Sequence, residues 1–245
     1  MKGSHKPAAS GKDSQANQDA PVKRLTLPRR SAGSGLRSRL YTSFELALSL
    51  AIIGLLIVGI QAFAVKPYRI PSGSMEPTLT IGQRLVVNRI GMDLDGPHVG
   101  EIVVFHPPEG AEQEICGPTP HLAKLEGAPC AQPVAKEDSS VNFIKRVVAG
   151  PGDEIYIKEG HAFRKAPGTT QFIAEKDPYI APCSPASLPE CNFPVAIKVP
   201  RGHWFVMGDN RGNSDDSRFW GPVPTSWMIG GALVTFWPPD RIGFF

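Results

Sequence analysis

The strongest constraint on this chain is a run of 20 residues without a charge, LALSLAIIGLLIVGIQAFAV at positions 46–65. As an α-helix rising about 1.5 Å per residue, it spans roughly 30 Å, the thickness of a bilayer's hydrocarbon core. A buried core helix competes with this reading. So does a cleaved secretory signal, because Ala62, Phe63 and Ala64 spell Ala-x-Ala. The run is longer than the about 7–15 apolar residues of a signal's central region. The expectation is therefore one uncleaved transmembrane helix, an anchor over residues 40–65, with no second span.

Charge orients that anchor. Residues 1–39 hold Lys2, Lys6, Lys12, Lys23, Arg24, Arg29, Arg30, Arg37 and Arg39 against Asp13 and Asp19, a tail of +7. Taken from the chain's +3, this leaves a body of −4. A tail rich in Ser, Gly, Ala and basic residues, with almost no aromatics, reads as disordered. The positive-inside rule puts it in the cytoplasm, so the chain is a single-pass protein of the inner or plasma membrane with its body on the extracytoplasmic side. A mildly acidic body also argues against nucleic acid as a partner and leaves the lipid bilayer as one.

Beyond the anchor the apolar runs are short: RLVVNRI at 84–90, EIVVFHP at 101–107, NFIKRVVA at 142–149, DEIYIKEG at 153–160, HWFVMGD at 203–209 and GALVTFW at 231–237. They are rich in β-branched and aromatic residues and bounded by Gly, Pro and Asp. With 25 Gly and 25 Pro, long helices in the body are disfavoured. The reading is mostly β: an antiparallel core over 66–154 and 201–245, with a smaller β domain inserted at 155–200. Cys116 and Cys130 bracket one Pro/Gly-rich loop, and Cys183 and Cys191 another. Outside the cytoplasm an even count in local pairs points to disulfides, and of three connectivities the local one, 116–130 and 183–191, is expected. Zinc is the competing idea, but the spacings are not Cys-x-x-Cys.

Three stretches carry chemistry. RIPSGSMEPTLTIG at 69–82 sets Ser72 and Ser74 on a proline-stiffened loop just past the anchor. Ser74 is nine residues beyond Val65, so the linker reaches about 30 Å at most, which keeps that serine near the membrane–water boundary. In NFIKRVVAGPGDEI, strand alternation sets Lys145 between Phe143 and Val147 on one face, with Ile144, Arg146 and Val148 on the other. Such a lysine either snorkels to water or stays buried and loses its charge. In the second case its neutral amine can serve as a general base for a serine, without histidine. MGDNRGNSDDSRFWGPVP at 207–224 packs polar groups directly before Phe219 and Trp220, so part of it must be buried and partnered. Asp216 is placed to pair with Arg218.

PSGSMEPTL, GEIVVF, FIKRVVAGPGD and GDNRGNSDDSRFWGPVP occur in the order and spacing of bacterial type I signal peptidases. The chain resembles these membrane-anchored Ser/Lys-dyad serine proteases from about Val65 onward. The resemblance implies Ser74 as nucleophile and Lys145 as its general base. It further implies an oxyanion hole from Ser72 and the Ser74 N–H, and Ser214 orienting the Lys145 amine. Asp216 with Arg218, and Asp209 with Arg146, would brace the site. Ile70, Pro71, Met75, Leu79, Phe143 and Ile144 match substrate-pocket positions, with alanine-sized room that suits Ala-x-Ala sites in preprotein signal peptides. No metal or other cofactor is implied. This chain has one span where familiar enterobacterial members have two, and Glu101 where Asp is common.

The nearest alternative is a conjugation- or pilin-processing peptidase with the same dyad. A penicillin-binding or β-lactamase-type enzyme needs Ser-x-x-Lys, and Pro77 stands where the Lys belongs. A Ser/His/Asp protease would have to draw on His106 or His203, neither of which has a recognisable catalytic setting.

Overall fold

The computed structural model describes residues 34–63, 65–117, 126–184, 186 and 188–245. Residues 1–33, most of the expected basic tail, lie outside the described residues, as does Ala64. The chain divides into two units, Met1–Ala51 and Ile52–Phe245.

Helix α1 covers Ser34–Phe63. Its segment Arg39–Gly59 has a mean hydropathy of 2.0, and none of its apolar stretch is buried against the described residues. Long apolar side chains such as Leu46, Leu50, Ile53 and Leu56 stand exposed along it. A helix with long apolar side chains exposed along it suits a hydrocarbon environment, and this one is long and apolar enough to cross a membrane.

The second unit is mostly β, with all strand pairs antiparallel. Its elements are β1 (Val65–Arg69), β2 (Arg84–Asn88), α2 (Ile90–Asp95), β3 (Ile102–Phe105), β4 (Phe143–Ala149), β5 (Glu154–Lys158), β6 (His161–Lys165), β7 (Ile173–Ala174), β8 (Phe193–Lys198), β9 (His203–Met207), α3 (Ser217–Trp220), β10 (Val223–Pro224), β11 (Met228–Trp237) and β12 (Gly243–Phe244). The large sheet runs β1-β2-β11-β3-β4-β9-β10, with β12 against β11. The small sheet, β7-β6-β5-β8, is built from strands between Glu154 and Lys198. Pro67 sits in β1, an edge strand, where its missing N–H breaks no ladder.

Period-two alternation fixes which side chains meet. Along β3, Val103 and Phe105 face a core with Val147, Val206, Trp220 and Val223, while Ile102 and Val104 face one with Ile70, Met75, Leu79, Leu85 and Ile144. Beyond Ala149 the chain turns into the small sheet. There Ile155, Ile157, Phe193 and Ile197 pack against Val148, Phe205 and Met207 of the large one. Every position of β4 from Ile144 to Ala149 is buried. That central strand carries Lys145 and Arg146 into the interior.

Both local cysteine pairs are bonded, Cys116 to Cys130 and Cys183 to Cys191. This leaves no thiolate set for zinc among the described residues.

Candidate active site

Ser74 rides on the loop that joins β1 to β2. The loop is closed at its base by Ile70 N–H to Gln83 O (2.8 Å) and Gly82 N–H to Ile70 O (2.9 Å). Met75 and Leu79 pin it from below, 1% and 0% exposed. Residues Gly73–Met75 form one 3₁₀ turn. The β3–β4 register sets Lys145 opposite Val103, and the lysine is only 4% exposed. Its Nζ lies 2.7 Å from Ser74 Oγ. Burial lowers the Lys145 amine from 10.5 to about 8, against the opposing pull of Asp216, Asp215 and Asp209; Arg218 adds to the lowering. Of the two fates open to this lysine in the sequence, the buried one holds. An amine of that basicity, in contact with a hydroxyl, can take its proton near neutral pH. Ser72 Oγ is 3.4 Å from Ser74 Oγ, on the same edge of the loop.

Two buried ion pairs brace this region. Arg218 holds Asp216 through Nε to Oδ1 (2.8 Å) and Nη2 to Oδ2 (2.9 Å), both residues fully buried. Asp216 also accepts from Gly208 N–H (3.0 Å) and caps α3 through Arg218 N–H (3.2 Å). Burial alone would raise the Asp216 carboxyl, but Arg218, Lys145 and the Gly208 N–H outweigh it and hold it below its usual value. Arg146 makes the second fork, to Asp209, at 2.9 and 2.7 Å. Its guanidinium stacks 3.8 Å over the Tyr179 ring. Removing one partner of such a pair leaves a buried charge, which costs about 3–5 kcal/mol.

Beside the Ser74–Lys145 contact opens a cleft of about 740 Å³. Of the expected pocket residues, Ile70, Pro71, Met75, Phe143 and Ile144 line it. Leu79 does not: it is wholly buried in the core beneath the loop. Ser214 lines the cleft too, yet its buried hydroxyl makes no hydrogen bond, so the expected contact with the Lys145 amine is absent. His106 and His203 bond instead to the carbonyls of Val141 (3.2 Å) and Arg201 (2.9 Å).

Residues 43–237 match the family described as "Signal peptidase, peptidase S26". The chain belongs to this family. It is thereby a serine endopeptidase of the signal peptidase I type. "Probable signal peptidase I-1" of Synechocystis sp. is 38% identical over 75% of this chain and 77% of that protein. "Signal peptidase I" of Leptolyngbya laminosa is 36% identical over 78% of this chain and 79% of its own length. "Thylakoidal processing peptidase 1, chloroplastic" of Arabidopsis thaliana is 30% identical over 87% of this chain and 54% of that protein.

Two residues of this peptidase escaped the sequence reading although both lie inside the motif at 208–224. Gly208 packs so closely that a Cβ there would collide with Ser74 O and Ser214 Oγ. Asn210 reaches back to the Ser74 loop through its main-chain N–H, to Ser74 O (3.0 Å), and its side-chain Nδ2, to Gly73 O (3.2 Å). The one available signal was the position of both residues in a polar stretch that turns directly into a buried Trp.

Proposed function

We propose that this peptidase removes N-terminal signal peptides from exported preproteins, cutting after Ala-x-Ala-type sites, with Ser74 as nucleophile and neutral Lys145 as general base. The observation that carries the reading is the 2.7 Å contact between a buried lysine amine, lowered to about 8, and a loop serine. Lys145 takes the Ser74 proton as Oγ attacks the scissile carbonyl carbon. The carbonyl oxygen becomes an oxyanion, held by the Ser74 N–H and the Ser72 hydroxyl. Its collapse breaks the C–N bond, and the Lys145 ammonium gives its proton to the leaving amine. Water, deprotonated by the same amine, then releases the signal peptide from Ser74.

The apolar walls formed by Ile70, Met75, Phe143 and Ile144 favour small side chains before the cut bond. Asp216 with Arg218, and Asp209 with Arg146, hold the loops that frame the dyad. Helix α1 acts as the single membrane anchor, with the basic N-terminus cytoplasmic and the catalytic unit extracytoplasmic. The partners are preproteins and the bilayer.

The test is incubation of detergent-solubilised protein with a preprotein bearing Ala-x-Ala, followed by N-terminal sequencing of the product. Ser74→Ala and Lys145→Ala are each expected to abolish cleavage while keeping the wild-type circular dichroism. Normal turnover by either variant refutes the dyad.

A further inference from the structure

We infer that Asn210 is a positioning residue that aims the oxyanion-stabilising N–H of Ser74, by holding the far side of the same peptide bond. This inference rests on the reading of Ser74 as nucleophile. The Ser74 N–H and the Gly73 carbonyl belong to one planar unit, and across a trans peptide the two groups point in opposite directions. Whatever holds Gly73 O therefore sets where the Ser74 N–H points. Two donors hold it: Glu76 N–H at 3.1 Å, within the 3₁₀ turn, and Asn210 Nδ2 at 3.2 Å, from a residue 137 positions away. The local bond only shapes the turn. The bond from Asn210 ties the peptide plane to the framework that carries Asp209 and Asp216.

Asn210 is itself well placed to act as a fixed point. It directly follows Asp209, which is locked in the fork with Arg146. Its carbonyl accepts from Asn213 N–H (2.9 Å), closing a turn whose next residue is Ser214 of the cleft wall. Its own N–H donates to Ser74 O (3.0 Å). The carbonyls on both sides of the Ser74 residue are thus held from one residue, and rotation of the Gly73–Ser74 plane must stretch a bond to Asn210. Donation to Gly73 O also draws electron density from the amide, which strengthens the opposite N–H as a donor through chained hydrogen bonds.

The two bonds separate cleanly by mutation. The main-chain bond to Ser74 O survives any non-proline substitution, so Asn210→Ala removes only the bond to Gly73 O and keeps the loop attached. Asn210→Asp is isosteric and turns a carboxylate oxygen toward Gly73 O, replacing attraction with repulsion. Losing an oxyanion donor outright costs roughly 10²–10³ in kcat. Here the donor stays but loses its aim, and the expected loss for Asn210→Ala is about tenfold in kcat, with KM within about twofold. Asn210→Asp is expected to fall further.

The experiment uses the full chain in detergent, a chromogenic Ala-x-Ala peptide, the matching peptide aldehyde and the matching peptide alcohol. Ser74 Oγ adds to the aldehyde carbon, the C=O π pair moves to oxygen, and the Ser74 proton passes to Lys145 or to that oxygen. The adduct's oxygen then occupies the oxyanion position. If Asn210 aims the N–H, Asn210→Ala weakens aldehyde binding by the same factor as kcat/KM. Alcohol binding and the midpoint of the pH profile stay unmoved. Wild-type kcat, a loss carried in KM, or aldehyde affinity unchanged beside a reduced kcat each overturns the inference. If Asn210→Ala does not fold, the isosteric Asn210→Asp gives the same readout. Ser74→Ala separates the two levels of the argument. Should it retain activity, the nucleophile reading fails. Should it be inactive while both Asn210 variants match wild type, only the role of Asn210 fails.

Discussion

Replacing Lys145 by Met should make the protein inactive and, at neutral pH, more stable. The amine titrates at about 8 in the folded chain against 10.5 unfolded. Burial of a group that would rather be charged thus works against folding. The sign follows from proton counts. Between the two values the unfolded chain binds more protons, so the lysine's penalty is full below pH 8 and fades as pH rises toward 10.5. At 1.36 kcal/mol per pH unit, the penalty at pH 7 is about 3 kcal/mol, and at pH 9.5 about 1 kcal/mol. Met has similar length and no charge, so the stability gap between Lys145→Met and wild type should shrink by about 2 kcal/mol over that range. The lost bond to Ser74 Oγ, about 1 kcal/mol, offsets part of the gain without altering its pH dependence. Urea unfolding followed by tryptophan fluorescence at pH 7.0, 8.0, 9.0 and 9.5 measures the gap through shifts in midpoint at constant slope. Parallel curves for the two proteins would mean that Lys145 titrates alike in both states, and the case for a depressed amine would be lost.

The same titration governs activity: kcat/KM should rise with pH through about 8, at pH 7 standing roughly tenfold below its plateau. Asp215 lines the cleft and props up the Lys145 amine, so Asp215→Asn should move that limb to lower pH; a fixed limb denies its influence. Gly208→Ala places a methyl against Ser74 O and Ser214 Oγ. A displacement of the Ser74 loop by about 1 Å should cost on the order of 10²-fold in kcat/KM, and near-wild-type turnover would show that the loop gives way freely.

Much of this architecture could be read from residues. The runs at 142–149 and 203–209 carry apolar residues on both faces, as interior strands do, and they became neighbours in the large sheet. Segments such as HAFRK, the β6 strand, lack β-branched residues and were missed because their order comes from pairing rather than propensity. Periodicity alone left Lys145 undecided between snorkelling and burial. Settling that takes the neighbours across the ladder, which one strand's sequence does not contain. The Asp216–Arg218 pair was legible because its members are two positions apart. Asn210's hold on Gly73 was not, because a bond to a main-chain carbonyl far along the chain imposes no side-chain pattern on its partner. Leu79 shows the reverse limit: a family position near a pocket says little about which side of a wall a leucine occupies.

The strand order has a consequence for how Ser74 and Lys145 are held together. Ser74 belongs to the β1–β2 hairpin and Lys145 to β4, beside β3, yet β2 and β3 are not paired; β11, Met228–Trp237, lies between them in the sheet. Without β11, the hairpin that carries Ser74 and the strand that carries Lys145 have no shared ladder to hold them in register. The ten-residue strand Met228–Trp237 is thus the keystone of the ladder that keeps Ser74 beside Lys145.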